Sequence, residues 1–277
     1  MTQLVVWLNA IVGACASVLL APIAALPGWL SATLVAAITG VVMLFVFKYT
    51  SNQRAIKHVR AGIKANLLAL SLFKDSPLVS LKSQGRILLG VVYVLLLSLI
   101  PTAVMLVPVC LALGQLALWY QARPLRVGEE AVITVKTAGA RGDALPQVNL
   151  ATGPEFEVTV GPVRVPSKNM VCWNLQVRQP GSHRLAFDIG KERFQKELVV
   201  GEGFMPVSSE RPAWSWEQAL LNPREPPFPA DSPIESIAID YQSRSGWTCG
   251  TNTWVFYWFL ASMVAAFAVK PILKVNL

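Results

Sequence analysis

The chain has 277 residues, of which 53% are apolar and only 14% are charged, and its formal net charge is +8. This composition excludes an ordinary water-soluble domain as the first interpretation and is typical of a membrane protein. The positive charge is concentrated in short segments beside apolar runs, so it indicates membrane topology rather than nucleic-acid binding.

The first apolar stretch, Leu4 to Ala25, is long enough to cross a membrane. Asn9, Gly13 and Ser17 place small or polar residues on one side of the predicted helix, so we expect it to lie in the membrane interface. An ordinary first span or an uncleaved signal anchor is the alternative. That alternative gives four spans and a cytoplasmic N-terminus.

Two further stretches predict spanning helices. Leu30 to Phe47 and Thr253 to Val269 contain no charged residue, and each approaches the length that crosses a hydrocarbon layer of about 30 Å. The second stretch begins with Trp254, Tyr257 and Trp258, an aromatic cluster typical of one membrane face.

The longest apolar run, Ile87 to Gln121, would measure roughly 50 Å as one helix, which is more than one bilayer needs. Pro101 and Pro108 each remove a backbone donor and favour a kink. We therefore expect the spanning portion at Ser98 to Tyr120, with the earlier part continuing toward the cytoplasm.

A basic segment precedes this run. Ser51 to Phe73 has the apolar spacing of an amphipathic helix, and Asp75-Ser76-Pro77 predicts a break before a second helix. The two helices would form a hairpin whose basic face consists of Arg54, Lys57, Arg60, Lys64, Lys82 and Arg86. Such a face suits anionic lipid, ribosomal RNA or an acidic partner. The alternative is a loop that only sets topology.

The distribution of charge predicts the orientation. Between Lys48 and Arg86 eight basic residues stand against one acid, and Lys270 and Lys274 follow the last span. Because cytoplasmic loops carry the excess of Lys and Arg, we expect both segments in the cytoplasm. The chain is thus predicted to be an integral protein of the inner or plasma membrane, with residues 122–250 on the outer side.

The outer part is predicted to be rich in β-structure. Apolar residues alternate with polar ones, as at Phe156, Val158 and Val160. We expect six or seven antiparallel strands from about Glu129 to Val200, forming a small all-β sandwich.

A Pro-rich stretch, residues 201–250, follows these strands and predicts an extended strap that returns the chain to the membrane. Trp214 and Trp216 lie in this stretch. We interpret them as aromatic anchors onto the sandwich or the membrane interface, with a ligand or partner contact as the alternative.

The sequence offers little for covalent chemistry, and we predict a protein that is not an enzyme and needs no cofactor or metal. His58 and His183 fall on opposite sides of the predicted membrane, and no phosphate loop or nucleophile elbow is present. Cys172 and Cys249 both lie in the outer domain and would form a disulfide if that compartment is oxidising.

The predicted spans contain a few uncharged polar side chains. The candidate residues for a substrate groove are Thr33, Thr39, Ser98, Thr102 and Gln115. Hydrogen bonds between helices would explain them. The functional alternative is a partly hydrated groove, open to the cytoplasm, that lowers the cost of moving a polar segment into the membrane.

The order of these elements carries a family resemblance. It rests on Leu26-Pro27 after the first helix, Phe47 to Thr50 at the end of the first span, the basic hairpin, Ser98 to Pro108, and Trp254 to Met263. This arrangement resembles the YidC/Oxa insertase superfamily, and within it the small three-span members of archaea and of the endoplasmic reticulum membrane complex. Bacterial members carry an arginine in the groove, whereas no Arg or Lys lies within the spans predicted here.

The resemblance implies a protein that assists insertion or folding of other membrane proteins, with three core spans and a cytoplasmic coiled hairpin. Its partners would be the lipid bilayer, hydrophobic membrane-protein substrates, and a ribosome or anionic lipid at the hairpin. The alternative is a membrane-anchored scaffold protein, or an accessory subunit, whose β-sandwich binds an outer protein partner. The predicted segments are 1–50, 51–97, 98–121, 122–200, 201–250 and 251–277.

Overall fold

The structure is a computed structural model that describes residues 1–20, 22–23, 26–72, 77–139, 145–251, 253–273 and 275. It divides into two units. One, which we call the β unit, comprises residues 1–32 and 110–257. The other, which we call the helical unit, comprises residues 33–109 and 258–277.

Most of the chain outside the strands is α-helical. The helices are α1 (Thr2–Leu20), α2 (Gly28–Thr50), α3 (Gln53–Leu72), α4 (Pro77–Tyr120), α5 (Trp216–Leu221) and α6 (Trp254–Leu273). Four of them, α1, α2, α4 and α6, are long and apolar enough to cross a membrane. The apolar runs therefore fit an integral membrane protein, as the sequence predicts.

The helix α4 is continuous over 44 residues and contains both Pro101 and Pro108. At 1.5 Å of rise per residue it measures about 66 Å, roughly twice the thickness of a hydrocarbon layer. The helix is therefore longer than one bilayer needs, and the portion that spans a membrane, Ser98 to Tyr120, stays a prediction. The division between the two units falls within α4, directly after Val109.

Two glycines set the helix packing inside the helical unit. Gly90 of α4 lies against Ile63 of α3, where a Cβ would approach the Ile63 side chain to 2.7 Å. Gly40 of α2 meets the backbone of Ser262 in α6. The predicted hairpin of α3 and α4 is thus present, while its predicted break at 75–76 lies outside the described residues.

Among its described residues the β unit has eight strands in two antiparallel sheets. The strands are β1 (Glu130–Thr137), β2 (Val148–Leu150), β3 (Phe156–Val165), β4 (Met170–Val177), β5 (Gly181–Ile189), β6 (Glu192–Val200), β7 (Glu210–Arg211) and β8 (Ile234–Ile239). One sheet has the order β3-β4-β1-β8-β7 and the other β2-β5-β6. The two sheets share one apolar core, in which Trp173 of β4 meets Phe187 of β5 at a ring distance of 5.7 Å.

The sandwich extends further along the chain than residues 122–200. The stretch predicted as an extended strap, 201–250, contributes β7, α5 and β8, and β8 lies inside the five-stranded sheet between β1 and β7. Ile234 and Ile237 of β8 are buried in the shared core. The strap interpretation is therefore wrong for β8, because burial of these isoleucines holds the segment in the sheet.

The N-terminal helix α1 belongs to the β unit and packs on α5. Asn9 of α1 donates a hydrogen bond of 2.7 Å from Nδ2 to the carbonyl oxygen of Ala219. Gly13 lies beside the side chain of Gln115. Trp214 and Trp216, near the start of α5, are exposed, so they are not anchored in the sandwich core and their role at a membrane interface remains a prediction.

Candidate functional site

The helical unit contains a groove between α2, α4 and α6. Its volume is about 250 Å³, enough for a few large apolar side chains. Its most prominent lining residues are three methionines and three phenylalanines: Met43, Met105, Met263, Phe47, Phe259 and Phe267. The groove therefore offers a soft, polarisable surface rather than a polar one.

The two hydroxyl groups in the groove are already bonded within their own helices. Thr39 donates its hydroxyl proton to the Val35 carbonyl oxygen at 2.6 Å, and Ser262 donates to the Phe259 carbonyl oxygen at 2.9 Å. Both hydroxyls line the groove but have no donor proton left for a ligand. Apart from the buried Nε1–H of Trp258, which has no hydrogen-bond partner among the described residues, binding here depends on apolar contact.

Of the five predicted groove residues, Thr39 alone lines this groove. Ser98 and Thr102 donate within α4, to the carbonyl oxygens of Val94 at 2.9 Å and Ser98 at 2.7 Å. Thr33 is half-buried in α2. Gln115 is buried in the β unit, and its Nε2 has no hydrogen-bond partner among the described residues. Intrahelical hydrogen bonds thus engage the hydroxyls of Thr39, Ser98 and Thr102, and the hydrated groove stays a prediction.

The chain matches no protein-family model, no curated protein and no solved structure.

The groove surface could have been found from sequence spacing. Phe259, Met263 and Phe267 recur every four residues in α6, and Met43 and Phe47 are four apart in α2, so each set lies on one helix face. Their length and hydropathy alone indicate only apolar membrane sequence. The signal for the groove is the recurrence of methionine and phenylalanine on one helix face, not the number of apolar residues.

The basic face of the hairpin is open to solvent. Arg54, Lys57, Arg60 and Lys64 of α3 and Lys82 and Arg86 of α4 are all exposed. Within the described residues none of the six takes part in an ion pair. Their charge is thus available to an external anionic surface.

The hairpin also exposes apolar side chains. Nine leucines of the described part of 51–97 are at least half exposed: Leu67, Leu68, Leu72, Leu78, Leu81, Leu88, Leu89, Leu95 and Leu96. An exposed apolar surface of this extent marks contact with a membrane or with another protein.

The predicted disulfide is absent, because Cys172 and Cys249 are both free thiols. Cys172 lies on β4 beside the hydroxyl of Thr134, at 3.7 Å from sulfur to oxygen. Cys249 is buried next to Thr248, at 3.5 Å. Each thiol therefore lies beside a threonine hydroxyl. In the described part of the chain no group of three His, Cys, Asp or Glu side chains is placed to hold a metal.

Proposed function

We propose that this protein is an insertase-like membrane chaperone, which assists apolar segments of other membrane proteins into the bilayer without covalent chemistry. The observation that carries the proposal is the groove of methionine and phenylalanine side chains between α2, α4 and α6. The proposed kinship with the YidC/Oxa superfamily rests on the order of the sequence elements.

Methionine suits a groove that accepts many different segments. Its unbranched side chain and polarisable sulfur adapt to irregular partners, and promiscuous binding surfaces use it for this reason. Within a membrane, lipid tails are as apolar as the client helix, so contact with Met43, Met105 and Met263 gives only modest selectivity. Weak and reversible binding is what a chaperone requires, because its client must leave.

The hairpin of α3 and α4 would receive the client before insertion. Its exposed leucines offer apolar contact, while its unpaired basic residues attract anionic lipid or a ribosome. In the proposed topology α2, α4 and α6 are the three core spans, α1 lies in the interface, and the hairpin is cytoplasmic because of its positive charge.

Filling the groove tests this proposal. Ala266 lines the groove, so Ala266→Trp should occupy it and lower insertion of a short-tailed membrane protein into proteoliposomes severalfold. Ala268 lies two residues further along α6 and is exposed, so Ala268→Trp is the matched control and should retain activity. Equal activity of the two variants would remove the groove from the mechanism.

Photo-crosslinking gives a second, direct readout. A crosslinking amino acid at Met263 should capture a newly made membrane protein during insertion. The same group at Val264, which is exposed but does not line the groove, should capture mainly lipid.

The rival proposal is a scaffold or accessory subunit that acts through the β unit. The observation that favours it is a charged cavity of about 560 Å³ on the sandwich. Under that proposal, Ala266→Trp would leave function unchanged, whereas substitutions in the charged cavity would abolish it.

A further inference from the structure

The β unit contains two cavities that share three residues. The larger, of about 560 Å³, lies on the edge of the sandwich, and the smaller, of about 130 Å³, lies against α1. Arg224, Glu225 and Pro226 line both. The two cavities are thus neighbouring parts of one site.

The larger cavity has an excess of positive charge. Its lining includes four cations, Arg184, Lys196, Arg211 and Arg224, but only two carboxylates, Glu197 and Glu225. Both carboxylates are already paired. Arg224 binds Glu197 through two hydrogen bonds of 2.6 and 2.7 Å, and Lys196 binds Glu225 at 2.6 Å.

The two remaining arginines are the available anion ligands. Arg184 is exposed and has no ion pair among the described residues. Arg211 is held in place by hydrogen bonds from Nη1 to the Gln195 carbonyl oxygen and from Nε to the Pro226 carbonyl oxygen, at 2.6 and 3.0 Å. Its guanidinium also lies 4.2 Å from the ring centre of Phe228. A fixed guanidinium loses little freedom when it binds an anion.

The cavity is built on a buried cation. The Lys196 side chain has no exposed surface, and its Nζ also donates to the Ser208 carbonyl oxygen at 2.7 Å. Burial lowers the pKa of Lys196, and the neighbouring Glu225 opposes that shift. Such a network is costly to build and rigidifies the cavity wall.

The smaller cavity has a different character. Val6 and Ala10 of α1 line it together with Pro223 and Pro227, so its wall is largely apolar. Asn9 also lines it and is only 4% exposed, yet its Oδ1 has no hydrogen-bond partner in the described part of the chain. A buried acceptor without a partner is unfavourable, and a donor from a bound molecule would relieve it.

We propose that the two cavities together bind the headgroup of an anionic phospholipid. The phosphate lies between Arg184 and Arg211, a headgroup or glycerol hydroxyl donates to Asn9 Oδ1, and the apolar part continues along α1. A guanidinium pair suits the phosphate geometry. A lipid is favoured over a free phosphate ion because the adjoining apolar cavity lies on α1, one of the helices long enough to cross a membrane.

Lipid binding to the full chain in detergent tests the proposal, with native mass spectrometry as the readout. Phosphatidylglycerol should bind in preference to phosphatidylcholine. Arg184→Gln should weaken phosphatidylglycerol binding about tenfold, since one charged hydrogen-bonding contact is lost. Arg164→Gln, an exposed position on β3 outside both cavities, is the matched control and should bind as the unmodified chain does.

A competition experiment and a second variant distinguish a lipid from a free anion. Inorganic phosphate at millimolar concentration should not displace phosphatidylglycerol. If it does, the site belongs to a soluble anion and the lipid assignment is overturned. Asn9→Leu should also weaken the lipid complex. Equal binding of both lipids, or unchanged binding by Arg184→Gln, would overturn the proposal as a whole.

Discussion

Gly40 of α2 lies so close to Ser262 of α6 that a Cβ at position 40 would overlap the Ser262 carbonyl oxygen. This contact brings the two helix backbones together beside the groove, which both residues line. Small residues permit such close approach between membrane helices. The groove therefore depends on the close approach of α2 and α6 that Gly40 permits.

We predict that Gly40→Ala destabilises the helical unit by about 1–3 kcal/mol, the range typical of overpacking. Thermal unfolding of the purified chain in detergent, followed by circular dichroism, measures the change. The control is Gly62→Ala in α3, where a Cβ would meet nothing within 4 Å. That variant should be stabilised by about 0.5–1 kcal/mol, because alanine favours a helix more than glycine does. If Gly40→Ala left the stability of the chain unchanged, α2 and α6 would not be in close contact.

The buried pair of Lys196 and Glu225 predicts a pH-dependent defect. Glu225→Gln removes the carboxylate that compensates a fully buried ammonium, and we expect the β unit to lose about 3–5 kcal/mol at pH 7. Pulse proteolysis of the full chain in urea measures this loss.

The sign of the pH dependence follows from Lys196. Burial holds the pKa of Lys196 in the folded state below its value in the unfolded state. The free energy of unfolding therefore increases as the pH rises from the folded-state pKa of Lys196 toward its unfolded-state pKa. Without Glu225 the folded pKa falls further, and the defect of the variant should shrink between pH 7 and pH 10. The control is Glu192→Gln, at an exposed position on β6. Its free energy of unfolding should stay within about 0.5 kcal/mol of that of the unmodified chain at either pH. A defect that is constant with pH would mean that the lysine charge is not its cause.

The orientation predicted from charge can be measured by cysteine labelling in intact cells. In a variant without the four native cysteines, a single cysteine at Ser182 should react with an impermeant reagent, and one at Lys64 should be protected. A cysteine at Thr2 separates the two topologies, because labelling there supports three spans and protection supports four. Labelling at Lys64 would reverse the proposed orientation and with it the role of the hairpin.

The sequence predicted the elements whose signal is local. A charge-free run such as Leu30 to Phe47 has few alternatives to a long apolar helix, and it forms part of α2. Alternation at Phe156, Val158 and Val160 predicted a strand, and β3 begins at Phe156. Period and hydropathy depend on neighbouring residues alone, so they can be read without the fold.

The strand β8 shows where local signals failed. Ile234, Ile237 and Ile239 are buried between two sheets, but the Pro-rich residues that precede them obscured their pattern. Whether such a short segment becomes a strand depends on a partner, and its partner β1 lies about a hundred residues earlier in the chain. Tertiary context overrides a weak local preference of this kind.

By itself, the sequence determined that long apolar helices flank a β-rich region and that a basic amphipathic helix lies between two of those helices. The tertiary structure alone decided that Met43, Met105 and Met263 share one groove, that Arg184 and Arg211 line one cavity, and that Cys172 and Cys249 stay unpaired. The reason is physical. Composition and period are set by adjacent residues, whereas a site is made by side chains that meet only after distant segments pack together.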